Sequence, residues 1–119
     1  MSHPSDIADL IRRCFAAYES KDRAALEALV ADDFHFSSPR DNRIDRQTYF
    51  ERCWPFSEKV RAFRIEKLFV QHDEAFVRYR CEPDSGPAFR NTEFFRFANG
   101  RLIEVEVYFG LSEERVSPT

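Results

Sequence analysis

Apolar side chains at Ile7, Leu10, Ile11, Cys14, Phe15 and Tyr18 recur at intervals of three and one. That spacing gathers them on a single stripe of an α-helix. Ser5 is placed to cap the helix, and Asp6 and Asp9 suit the positive end of its dipole. A second, shorter helix is predicted from about Arg23 to Ala31, capped by Asp22 and burying Leu26, Leu29 and Val30, with Ser20, Lys21 and Asp22 as the bend before it. The period then changes. Phe34, Phe36 and Ser38 alternate with Asp33, His35 and Ser37, which predicts a short strand stopped by Pro39, and the charged stretch 39–43 reads as loop. Asp45 can cap a third helix carrying Tyr49, Phe50, Cys53 and Trp54. Pro55 ends it, because proline offers no amide to the hydrogen-bond ladder and pushes the preceding residue toward extended geometry.

Beyond Pro55 the pattern is that of strands. Ala62 to Gln71 and Ala75 to Glu82 meet at the polar His72, Asp73 and Glu74, and residues 83–87 break the chain before a second pair, Ala88 to Ala98 and Arg101 to Phe109. Asn99-Gly100 joins that pair and is a strong hairpin signal, since both central residues of the turn need positive φ. In the last strand Ile103, Val105, Val107 and Phe109 face one way and Glu104, Glu106 and Tyr108 the other, so only one face packs on a core. Helices first and an antiparallel meander afterwards predict an α+β domain, a curved antiparallel sheet covered by three helices from the N-terminal half and curling around a cavity.

Composition narrows the function classes. The 119 residues fit one domain, 1–119, with a core of about 5–111 and a short flexible C-terminal tail. Thirteen phenylalanines imply a bulky core or a large apolar cavity, whereas three glycines cannot build the Gly-rich phosphate cradles of nucleotide-dependent chemistry. With 18 basic against 21 acidic residues, the chain has no electrostatic reason to bind nucleic acid or an anionic membrane. The longest apolar stretch, Cys14 to Tyr18, is far too short to span a bilayer, and no cationic flank precedes an apolar run at the start. A cytoplasmic protein is expected. Cys14, Cys53 and Cys81 are spaced like no zinc or redox motif, and His3, His35 and His72 form no ligand pair, so neither a metal nor a cofactor is expected.

The run Tyr18 to Pro39, together with Asn91 to Gly110, resembles the nuclear transport factor 2-like superfamily in its SnoaL-like and ketosteroid-isomerase-like branch. The residues that carry the likeness are Asp22 at the helix bend, the pair Asp32-Asp33 with a strand ending in Pro39, and the hairpin Phe95 to Gly100. The resemblance implies a cone with a small-molecule pocket inside, and a homodimer across the outer sheet face. It also places Cys14 where the isomerases keep a tyrosine, Ser38 where they keep a base, and Glu93 where they keep a carboxylic acid that stays neutral at pH 7 and so can donate a hydrogen bond. A thiol is a weak donor, and a hydroxyl is no proton acceptor at neutral pH without a base beside it.

Candidate chemistry therefore centres on Glu93, which falls in phase with Phe95 and Phe97. A carboxyl on an apolar face has a raised pKa and can serve as acid or base, or else it opens its strand and reaches water or an arginine. Ser38 and Tyr18 are the candidate orienting groups. The expected pocket draws Cys14, Phe15 and Trp54 from the helices, Phe34 and Phe36 from the first strand, and Phe95, Val105, Val107 and Phe109 from the last two. Tyr18, Tyr49 and Tyr79 either line it or bond as core aromatics. Cys14 could be a nucleophile or a buried thiol. Arg80 and Glu82 resemble the charged set of limonene epoxide hydrolase-like members, but their phase favours ion pairing on the outer face. Two functions stay open: a cofactor-independent isomerase, dehydratase or cyclase acting on a small hydrophobic molecule, and a non-catalytic ligand-binding or dimerisation module. Phe76, Phe94 and Tyr108, with Arg78, Arg80, Arg96, Glu104 and Glu106, make the outer face the expected dimer surface.

Overall fold

The computed structural model describes residues 4–114, without the side chains of Pro4 and Ser5; the Ser5 cap, His3 and the end of the tail lie outside the described residues. In chain order the elements are α1 (Pro4–Ser20), α2 (Arg23–Leu29), β1 (Val30–Ser38), β2 (Asp41–Asp45), α3 (Arg46–Arg52), a 3₁₀ segment (Trp54–Lys59), β3 (Val60–Gln71), β4 (Glu74–Pro83), β5 (Phe89–Ala98) and β6 (Arg101–Ser112). The six strands form one curved, unclosed sheet in the order β2-β1-β6-β5-β4-β3.

Local chemistry accounts for most of the boundaries. The Asp22 carboxylate accepts from the Ala25 N–H at 3.1 Å, and that of Asp45 accepts from the Thr48 N–H at 2.9 Å, each closing the first turn of a helix. Asn99 and Gly100 take φ of 52° and 76°, the paired positive values a tight hairpin needs. The α1 stripe is buried as its spacing requires, with Ile7 and Ile11 fully enclosed. At its end the Glu19 carboxylate accepts from the Phe63 N–H at 2.8 Å and Lys21 Nζ donates to the Val60 carbonyl at 3.1 Å, fastening α1 to edge strand β3.

Four features depart from the sequence pattern. Residues 41–45, of which 41–43 read as loop in the sequence, form β2, an edge strand exposed or half-buried throughout. β1 pairs with β6 in parallel, so the sheet is mixed. α2 stops at Leu29, where Val30 turns extended, and α3 stops at Arg52, leaving Trp54 and Pro55 in the 3₁₀ segment. In β6, Phe97 pairs with Leu102 while Arg96 pairs with Glu104, so Ile103 is an extra, bulged residue; Leu102 rather than Ile103 turns into the core. Such bulges, with two more in β3, bend the sheet.

Candidate functional site

The inner face of the bent sheet and the helices over it enclose a cavity of about 780 Å³. Its wall is largely aromatic. Phe15 of α1 meets Phe63 and Tyr79 with ring centroids 5.0 Å away in each case, and stacks on Phe95 at 6.0 Å. Phe36, Val105 and Val107 from β1 and β6, and Cys14 and Leu26 from the helices, complete the lining.

Glu93 projects into this apolar space. It sits mid-strand on β5, paired with Val77 of β4 and Val107 of β6, and alternation puts it on the same face as Asn91 and Phe95. Protein surrounds it, and what surface it keeps faces the cavity. Desolvation disfavours the charged form and pushes its carboxyl up to about 7, while hydrogen bonding with the Tyr79 hydroxyl pulls the other way. Asn91 Nδ2 donates to Tyr79 Oη at 3.2 Å, which orients the phenol. Burial and the nearby Glu93 charge hold the Tyr79 phenol well above the ordinary tyrosine value, so it stays a donor at any physiological pH.

A second polar pair also lines the cavity. The Tyr18 and Tyr49 hydroxyls stand 2.5 Å apart, and either can donate to the other. Tyr49 is buried against Phe34 and Phe36, whereas Tyr18 keeps some accessible surface. With Tyr49 donating, the Tyr18 proton is free for a ligand oxygen. Burial raises both phenols above their usual range, and their hydrogen bond opposes the rise at Tyr18.

The exposed lining residues mark the mouth. The β1-β2 turn brings Ser38, Arg40 and Asp41 there, facing Arg52, Phe109 and Gly110. Asp41 is tied on both oxygens: Arg52 donates to one at 2.7 Å and Ser38 Oγ to the other at 3.0 Å. Ser38 Oγ also accepts from the Arg40 N–H at 3.0 Å. Gly110 allows β6 to approach β5 closely, since a Cβ there would run into the Arg90 carbonyl oxygen.

Of the residues singled out in the sequence, the structure brings Glu93, Tyr18, Cys14, Phe15, Phe36, Phe95, Val105 and Val107 onto one wall system, with Ser38 and the half-exposed Phe109 at the mouth. Two expectations are corrected. Phe34 is fully buried edge-on against Tyr49 and does not reach the cavity. Trp54 does not line it either, because the 3₁₀ segment swings its ring behind Tyr18, at 4.9 Å. Ser38 Oγ is engaged at the mouth, donating to the Asp41 carboxylate and accepting from the Arg40 N–H. Burial pushes the Cys14 thiol up to about 12, which makes it a packed thiol rather than a nucleophile. Arg80 and Glu82 pair at 3.5 Å, and Arg80 also bonds Glu113, in keeping with their outward phase. Asn91 joins the site as well, and its phase with Glu93 and Phe95 is visible in the sequence. Arg40, Asp41 and Arg52 carried no such signal, since the first two lie in a stretch read as loop.

No group of three or more His, Cys, Asp or Glu side chains with metal-binding geometry occurs among the described residues, and no helix among them is long and apolar enough to cross a membrane. A family model for the SnoaL-like domain matches residues 11–105. Comparison with curated proteins finds no significant match. The fold is similar to that of a nuclear transport factor 2-like protein of unknown function from Mesorhizobium loti (23% identity, 92% of this chain and 94% of that one, TM-score 0.75). It is also similar to a Kribbella flavida protein proposed to be a ketosteroid isomerase (16% identity, 98% and 84%, TM-score 0.74). A third similar structure is an epoxide hydrolase of Mycobacterium tuberculosis resembling limonene epoxide hydrolase (18% identity, 89% and 84%, TM-score 0.73).

Proposed function

The chain belongs to the SnoaL-like domain family within the nuclear transport factor 2-like superfamily, and on that footing we propose that it binds a small hydrophobic molecule in the cavity and moves a proton on it with Glu93, as a cofactor-free isomerase, dehydratase or cyclase. The fold alone does not choose among chemistries, since one scaffold hosts many. The choice rests on Glu93.

A carboxyl titrating near 7 inside an apolar wall is populated in both forms at neutral pH, so a single group can take a proton and return it. Its carboxylate would accept a proton from carbon next to a ligand carbonyl, and the electron pair freed from the C–H bond would move onto the carbonyl oxygen. Tyr18, backed by Tyr49, is the donor available to that oxygen. Returning the proton to the same carbon, or to one in conjugation with it, completes an exchange or an isomerisation. Tyr79 and Asn91 position the carboxyl and do not themselves touch the reacting atoms. Ser38, tied to Asp41 at the mouth, has no part in the transfer.

The test is proton exchange at the α-carbon of 2-tetralone, a neutral aromatic ketone, in deuterated water, followed by NMR. Wild-type protein should accelerate the exchange, and Glu93→Gln should reduce it by about a hundredfold or more while the ketone still binds. Binding without acceleration by the wild-type protein would leave the cavity as a ligand-binding module.

A further inference from the structure

The mouth of the cavity carries a cation that no carboxylate among the described residues neutralises. Arg40 stands at the tip of the β1-β2 turn, exposed, with its backbone N–H fixed by Ser38. Its guanidinium lies over the Phe109 ring at 5.8 Å and forms no ion pair among the described residues, whereas its neighbour Arg52 is matched by Asp41. A guanidinium resting on an aromatic face keeps the N–H groups of its edge available, in the fork geometry that fits a carboxylate, sulfonate or phosphate.

The interior has the opposite character. Its wall is apolar, and its one deep carboxyl, Glu93, disfavours a second negative group beside it. An acidic group on a ligand would therefore be expelled from the interior and met at the mouth. These two facts orient any amphipathic guest in the same way.

Building on the reading that the cavity binds a small hydrophobic molecule, we propose that the natural ligand is an amphipathic organic anion, its acidic group held at the mouth by Arg40 and its apolar body, with a neutral oxygen, directed inward toward Glu93 and Tyr18. The ligand class then combines an aromatic or alicyclic body with one acidic substituent at the end away from the reacting carbon.

N-phenyl-1-naphthylamine and its sulfonate, 1-anilinonaphthalene-8-sulfonate, share one fluorescent body and differ in the acidic group. Wild-type protein should bind the sulfonate about tenfold more tightly than the neutral amine, with the preference falling as salt is raised. Arg40→Gln, an exposed substitution, should remove the preference while changing the amine by less than about twofold. Excess 2-tetralone should displace both probes. A preference that survives Arg40→Gln, a loss shared equally by both probes, or a sulfonate that 2-tetralone fails to displace would overturn the proposal. If the amine binds and the sulfonate shows no preference, the anionic class fails and the cavity reading stands. If neither probe binds, both fail together.

Discussion

Replacing Glu93 by glutamine should leave the fold's stability nearly unchanged in acid and raise it in alkali. Burial moves the carboxyl from its ordinary 4.5 up to about 7. Between those values the folded protein binds a proton that the unfolded chain has released, so stability falls as pH rises. The contribution is fully present below the unfolded value and is lost as pH climbs through the folded one. At about 1.4 kcal/mol per tenfold change in proton affinity, the loss amounts to on the order of 3 kcal/mol once Glu93 is fully ionised. A glutamine amide keeps the shape, can still bond the Tyr79 hydroxyl, and has no charge to desolvate. Urea denaturation of both proteins from about pH 5 to pH 9 isolates the effect, because every other titrating group cancels in the difference. The gap between the two unfolding free energies should open in favour of the variant as pH rises from about 5 toward about 7 and level off above it. A gap that stays constant with pH would show that Glu93 is as well solvated as any surface carboxylate, and the placement of its charge would be wrong.

Three other outcomes follow from the same packing. Leu29→Ala removes a buried side chain beneath β1 and should cost about 2 to 5 kcal/mol, read from the denaturation midpoint. Cys14, held as a neutral buried thiol, should react with a thiol-specific disulfide reagent only after the protein is unfolded. On the outer face Phe76 and Tyr108 are half exposed and Phe76 packs on Phe94 at 5.2 Å; this patch should pair with a second copy of the chain, and light scattering should show a dimer that Phe76→Glu converts to monomer.

Much of this fold is written locally. The 3.6-residue stripe of α1, the two aspartate caps and the Asn-Gly turn each depend on neighbours within a few positions, and each appears in the structure where the pattern puts it. What escaped the pattern depends on distant partners. β2 is an edge strand with little to bury, so its residues carry no alternation, and Arg43 within it takes a positive φ. The parallel pairing of β1 with β6 joins segments about seventy residues apart, which no local period encodes. The Ile103 bulge reverses the phase of one residue, and with it the face that Leu102 presents. The site shows the same division. Glu93 was legible because β5 alternates without interruption around it. Trp54 falls elsewhere than its spacing suggests because α3 ends at Arg52 and the 3₁₀ segment begins at Trp54 itself, and the charged mouth is hidden in a stretch whose polarity looks like loop.

The proposed function turns on one carboxyl, Glu93, in the apolar wall of the cavity. The most direct test is the side-chain carboxyl resonance of Glu93, labelled with carbon-13 and assigned by its loss in Glu93→Gln, followed by NMR as pH is varied. A titration midpoint near 7 is expected. A midpoint at the ordinary glutamate value of 4.5 would contradict that placement and remove Glu93 from the chemistry of the cavity.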